Sequence, residues 1–307
     1  MSGAAGSDDI PVRAGTMMPF EEQAVAIGCQ GDRMVAVLNL PQEPNSRGVL
    51  IVVGGPQYRA GSHRQFALLA RYLAERGIPA LRFDYRGMGD SEGEARTFEE
   101  VDLDLRCALD AFFAHTPGLR DVALWGLCDA ASAVLFYAHR DARVKGLALL
   151  NPWVRTAEGI ARAHLRHYYL SRLVDPELWR KLGRGEFDFL GAGKSLAGTV
   201  GQVLAAGRIE REPAQSVQAT LPSGRPLPAR MADGLRRFRG RTLFILSGDD
   251  LTAQEFKDTV RRSKRWRELL DSPRVTWRDL PEANHTFSRR EWRDQVAAWT
   301  ADWVRSW

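Results

Sequence analysis

Short apolar runs alternate with helical stripes along most of this chain. Val25–Cys29 and Met34–Leu40 flank the turn signal Gln30-Gly-Asp-Arg33 and read as a hairpin. Val49–Val53, Pro79–Phe83, Asp121–Trp125, Val144–Leu150, Thr242–Leu246 and Val275–Leu280 are short, nearly continuous apolar runs. Runs of that kind suit strands buried on both faces of a parallel sheet. Between them lie helical stripes: Phe66, Leu69, Tyr72 and Leu73; then Phe98, Val101, Leu105, Leu109 and Phe112, the helix that carries Cys107. Ala130–His139 and Ala253–Leu270 also read as helices, and Trp292, Val296, Trp299 and Trp303 form a last stripe suited to core packing. The alternation predicts an α/β fold with a mostly parallel central sheet and helices on both faces. In such sheets chemistry gathers at the carboxyl ends of the strands, which places Gly54-Gly55, Asp84, Cys128 and Asn151 together.

The alternation stops after Trp153. Ala161–Leu173, Pro176–Leu182 and Leu196–Ala206 read as helices, and Glu212–Pro228 is rich in Pro, Ser and Thr. Residues 156–240 are therefore expected to form a helical cap inserted into a core made of residues 20–155 and 241–307, with residues 1–19 a disordered leader. No stretch approaches the ~18–20 apolar residues of a membrane span, and the first residues lack the apolar run of a signal peptide. A cytoplasmic protein is the expectation. Three cysteines without a CxxC spacing argue against a disulfide framework or a zinc site, and for a reducing compartment. Net charge is +5, and the clusters Arg236–Arg241 and Arg261–Arg267 read as solvated faces, so no nucleic-acid partner is expected. The glycine-rich turn Asp84–Gly93 lacks both GxGxxG and the P-loop GK[ST], and reads as a structural loop.

The chemistry begins at Gly126-x-Cys128-x-Ala130, between a strand and a helix. Small residues two positions to either side of a nucleophile are what a strained strand–helix turn needs. By itself Cys128 also fits a small buried residue in a tight turn. Two later strand ends add weight to the nucleophile reading: Asp249 or Asp250 ends one strand, and His285 comes after the last one. A thiol needs a base to become the reactive thiolate, and a carboxylate to hold the imidazole in the right tautomer. Asp250, two residues past Gly248 and directly before a helix start, is the preferred acid, with Asp249 the alternate. Among the other histidines His63 follows the Gly54-Gly55 loop, from where it can approach the site; His115 and His139 are expected at exposed helix ends, and His164 and His167 in the cap, packed or solvated in preference to lining a pocket. An oxyanion hole needs two donors. One is the backbone N–H of Asp129, and the other belongs to the loop after Val53. Pro56 has no N–H to give, which leaves Gln57, through its backbone or its side-chain amide. Gly55, Tyr58 and Trp153, in loops at the same strand ends, are the candidate substrate-binding residues. The Asp129 side chain would raise the thiol pKa if it pointed inward; otherwise it meets the cap or a polar group of the substrate.

Taken together, GGPQYRAGSHR, RFDYRGMGDSEG, GLCDAASA, SGDDLTAQEF and ANHTF resemble the α/β-hydrolase superfamily and, more narrowly, the exosortase A system-associated hydrolase 1 family of bacteria with the exosortase and PEP-CTERM sorting system. The resemblance runs from about Phe20 to Trp307. It implies an α/β-hydrolase fold, with a Cys–Asp–His triad that maps onto Cys128, Asp250 and His285, and it supplies no settled substrate. The chain departs from the commoner superfamily pattern in having Cys for Ser, Gly54 where His often stands, and Ala130 for Gly. Exchange between a thioester and a Cys thiol is nearly balanced in energy, which favours a thioester or activated ester, from coenzyme A or an acyl-carrier protein among others. Dienelactone hydrolase, a superfamily relative, also uses Cys. The readings are a thioesterase or esterase acting through an acyl-cysteine, an acyltransferase whose cap excludes water, and a binding protein that kept the fold. No cofactor or metal is expected.

Overall fold

The structure is a computed structural model and describes residues 18–55, 57–154 and 225–307. Most of the expected leader, most of the expected cap and Pro56 lie outside the described residues. One eight-stranded sheet organises the rest, in the order β1-β2-β4-β3-β5-β6-β7-β8. β1 (Phe20–Cys29) and β2 (Asp32–Pro41) are the hairpin, longer at its start than the apolar pattern alone marked. β2 pairs antiparallel with β4 (Ala80–Phe83), and from there every pairing is parallel, through β3 (Arg47–Val52), β5 (Asp121–Leu127), β6 (Val144–Leu150), β7 (Arg241–Asp249) and β8 (Val275–Asn284). Between β3 and β5 the strand order reverses direction. Loops leaving those two strands diverge there and open a crevice.

The helices bury one stripe each against the two faces. α1 (Gln65–Ala74) and α7 (Arg290–Arg305) cover one face, with Phe66, Leu73, Val296, Trp303 and Val304 packed on Val49, Ile51, Leu243 and Ile245. Val296 and Trp303 are buried, and Trp292 and Trp299 pack at the edge of the same cluster, so the tryptophan stripe is core. α2 (Asp102–His115), α3 (Asp129–Tyr137), α4 (Leu227–Arg237), α5 (Leu251–Arg262) and α6 (Lys264–Leu270) lie on the other face. Two elements differ from expectation. The helix expected over Ala253–Leu270 is broken at Ser263, whose extended backbone starts α6 and whose side chain accepts a hydrogen bond from the Trp266 N–H. α4 falls within the span assigned to the cap, yet Met231, Ala232 and Leu235 are buried in the same cluster as Val134 of α3. Its apolar stripe is short and its flanks are basic, so the sequence alone showed an insertion end where the fold uses a core helix. Met18, on the leader side of the expected boundary, already donates its N–H to the Glu75 carbonyl.

Cys29 at the end of β1 and Cys107 on α2 place their sulfurs 2.8 Å apart, without a disulfide. Burial, and then the contact with Cys107, push the Cys29 thiol up to about 12. Beside them a buried ion pair fastens α2 to the turn after β4. Asp104, fully buried, accepts from Arg86 Nε at 2.9 Å, Arg86 Nη2 at 3.2 Å and the Arg86 backbone N–H at 2.9 Å. Removing one partner of such a pair strands the other charge. Asp104→Ala is expected to lower unfolding free energy by about 3–5 kcal/mol, read from urea denaturation midpoints at constant m.

Candidate active site

β5 ends where Cys128 turns the chain into α3. Cys128 sits at φ 64° and ψ −123°, a left-handed backbone that a side chain adopts only under strain. The turn is held from several sides: the Cys128 N–H donates to Leu150 O at 2.9 Å, and its carbonyl accepts from Ala131 and Trp153 N–H groups at 3.1 Å each. Such a reversal leaves no room beneath it. A Cβ at Gly126 would lie 2.7 Å from the Ala130 carbonyl carbon, and one at Gly54 would lie 2.9 Å from the Ala130 nitrogen. The small residues noted in the sequence are therefore there for close backbone approach.

Asp250 is the N-cap of α5, with Oδ1 and Oδ2 accepting from the Thr252 and Ala253 N–H groups. The same Oδ2 lies 2.9 Å from His285 Nδ1. Asp249, by contrast, is the exposed last residue of β7, so of the two candidate acids the structure brings Asp250 to the histidine. His285 comes directly after β8, because that strand runs on to Asn284 rather than stopping at Leu280. Its backbone is pinned by Asn151, whose Nδ2 donates to His285 O at 2.9 Å and to Ser247 Oγ at 2.8 Å. Asn151 Oδ1 accepts the Ser247 N–H, and Ser247 Oγ donates to Asn284 O. This buried cross-brace ties the ends of β6, β7 and β8 together. A cavity of about 540 Å³ opens on the Asp250 side of His285, lined in part by Asp249, Leu251 and Gln254.

On the other flank of Cys128 lies a carboxylate. Asp129 Oδ2 accepts the Gly55 N–H at 2.9 Å and Oδ1 accepts the Ala130 N–H at 2.9 Å. Burial pushes the Asp129 carboxyl above the usual carboxylate range; donated N–H groups and the nearby His285 act in the opposite direction. On the loop after β3, the Gly55 N–H thus reaches the side chain that follows Cys128. Gln57 is half-buried, with Oε1 buried and lacking a hydrogen-bond partner. Tyr58 is exposed, and Trp153 is half-buried with its backbone tied to Cys128 and Ser132. The loop itself is anchored to the glycine-rich turn: the Arg59 guanidinium pairs with fully buried Asp84 and with Asp90. That turn therefore acts as a structural support, as its lack of a phosphate-binding motif implied.

A thiol at an elbow and an imidazole backed by a carboxylate are parts that acyl chemistry uses. The sequence profile of the alpha/beta hydrolase family matches residues 49–299. This chain belongs to the alpha/beta hydrolase family. The hydrolase is similar in fold to esterase Pf2001 of Pyrococcus furiosus, with 13% identity over 94% of this chain and 93% of that one and a TM-score of 0.61. It is also similar to Est1E of Butyrivibrio proteoclasticus, solved with ferulic acid bound, at 15% identity, 92% and 100% coverage and a TM-score of 0.57. In sequence, the polyketide transferase grgF of a Penicillium species is 32% identical over 94 residues, which are 28% of this chain and 31% of that protein. The chain thus aligns with under a third of that relative's length.

Among the described residues of this hydrolase, no group of three or more His, Cys, Asp or Glu side chains could hold a metal ion, and no helix is long and apolar enough to cross a membrane. His63 is exposed in the turn before α1, and His115 is exposed at the end of α2. His139 differs from expectation: it is half-buried with Nδ1 buried and lacking a hydrogen-bond partner, and burial lowers its pKa. His164 and His167 lie outside the described residues. The sequence places Asn151 at a strand end and Ser247 at the start of SGDDLTAQEF, each without a role; their signal is a polar pair capping adjacent buried strands. Two outcomes are expected from the geometry. Cys128→Gly should exceed Cys128→Ala in stability by about 1 kcal/mol, because glycine relieves the left-handed strain. Asn151→Ala should cost about 1–3 kcal/mol by leaving the Ser247 N–H and the His285 carbonyl without their buried partner. Both are read by urea denaturation.

Proposed function

We propose that this alpha/beta hydrolase cleaves a small-molecule acyl thioester or ester through an acyl-cysteine formed on Cys128. The observation that carries the reading is the 2.9 Å approach of His285 Nδ1 to Asp250 Oδ2, at the strand end beyond the strained Cys128 turn. Asp250 keeps the Nδ1 proton on its side, which leaves Nε2 as the base. His285 takes the Cys128 proton as Sγ attacks the acyl carbon. The carbonyl oxygen gathers negative charge and is met by backbone N–H groups, among them that of Asp129 at the positive end of α3. As the tetrahedral species collapses, the C–S or C–O bond to the leaving group breaks, and His285 returns the proton to it. Water activated by the same imidazole then releases the acid and restores the thiol. A thioester donor suits this site because acyl exchange between two sulfurs is close to balanced. Coenzyme A and acyl-carrier protein are the carriers of such donors.

A second reading replaces the water by an alcohol or amine acceptor. It is favoured by the local similarity to a protein named as a polyketide transferase. The motif resemblance to the exosortase A system-associated hydrolases supports a place in bacteria that carry that sorting system, and with it a cytoplasmic role.

Intact-mass measurement after brief mixing with acetyl-CoA and, separately, p-nitrophenyl acetate tests the reading. An acyl adduct is expected on the wild type and absent from Cys128→Ala, with turnover down by at least about 10³-fold in Cys128→Ala and His285→Ala. Asp250→Asn should cost far more activity than Asp249→Asn. An adduct that persists in Cys128→Ala would sink the assignment. Release of free acid only after an alcohol or amine is added would select the transferase.

A further inference from the structure

The Asp129 carboxylate bridges the loop after β3 and the start of α3. It accepts from the Gly55 N–H on that loop and from the Ala130 N–H in the first turn of α3. A loop amide and a helix-start amide are the kinds of donor from which an anion hole is built, and both are directed at one carboxylate. Gly54 lies against it: a Cβ there would lie 2.2 Å from Asp129 Oδ1, besides crowding the Leu127 carbonyl and the Ala130 nitrogen. Pro56, next along the loop, has no N–H with which to replace the Gly55 donor. Two groups capable of charge face the carboxyl from other elements: His285 after β8, whose charge favours the ionised form, and buried Tyr85 after β4.

We infer that Asp129 is the resting occupant of the anion hole, and that an acyl substrate engages the Gly55 amide only by displacing this carboxylate. The inference rests on the acyl-transfer reading of Cys128. A hole built from a helix N-terminus and a loop amide binds negative charge well. An internal carboxylate therefore competes with the oxyanion for the same donors, and the acyl group must supply enough binding elsewhere to win. Asp129 then acts as a specificity-determining residue: poorly bound acyl groups leave it in place, and well-bound ones expel it.

Two probes of Cys128 separate this role from a structural one. Butanal adds to the thiol as an aldehyde adduct: the S–C bond forms, the C=O π bond opens, the thiol proton passes to His285, and the new alkoxide oxygen is left for the hole to hold. Iodoacetamide alkylates the thiolate with loss of iodide and forms no oxyanion. Removing the Asp129 charge also eases thiolate formation, but that change reaches both probes. The readout is therefore butanal affinity relative to alkylation rate at Cys128, measured by mass spectrometry on wild type, Asp129→Asn and Asp129→Ala. Asparagine keeps the shape and one acceptor oxygen, so it guards against loss of folding, which near-UV circular dichroism checks. The ratio is expected to rise by about tenfold or more in Asp129→Ala and by less in Asp129→Asn. An unchanged or lower ratio in folded variants overturns the inference and makes Asp129 a clamp for the loop. Alkylation at Cys128 with no aldehyde adduct in either variant also overturns it and leaves the nucleophile standing. If Cys128 reacts with neither probe in any of the three proteins, the acyl-transfer reading falls, and the inference with it.

Discussion

The structure depends on a single backbone reversal. β5 must hand its chain to α3 within one residue, and Cys128 bears the cost in a left-handed conformation at φ 64°. Everything around it is small or close for that reason. Gly126 and Gly54 leave the first turn of α3 room to approach the ends of two strands, and Ala130 keeps the helix against the sheet. The reward is geometric. Cys128 is placed at the end of β5, beside the point where the strand order reverses, with the start of α3 directly after it.

Two independent supports then fix the surroundings of the thiol. On one side Asn151, Ser247 and the backbone at Asn284 and His285 form a buried hydrogen-bonded brace across three strand ends. It sets the position of the His285 backbone, and the Asp250 cap sets the ring. On the other side Arg59 and Asp84 bind the loop after β3 to the turn after β4. The effect of the two supports is to hold the backbone at His285 and the loop after β3 in place. Burying Asp84 and Asp104 as carboxylates is tolerable only because each is surrounded by donors from arginine and backbone.

Asp129 gives the site its own character. The position after a nucleophile need supply only an N–H, yet here it also supplies an anion held by the amides on either side of the crevice. Burial pushes its carboxyl above the usual carboxylate range, while the N–H donors act in the opposite direction.

The pattern of apolar residues by itself determined the alternating order of strands and helices, and hence the parallel sheet and the edge where its chemistry would lie. Periodicity is a local signal, and buried strands and amphipathic helices announce themselves locally. The elbow was legible too, because only small residues suit so tight a turn. Asp250 was preferred to Asp249 from its place directly before a helix start, but its contact with a histidine 35 positions further on was not legible. Nor were the roles of Asn151 and Ser247, the place of α4 in the core, or the turning of Asp129 onto Gly55. Each of these is a contact between segments far apart in the chain. Only the packing of the sheet brings their polar atoms within hydrogen-bonding distance, so only the tertiary structure decided them.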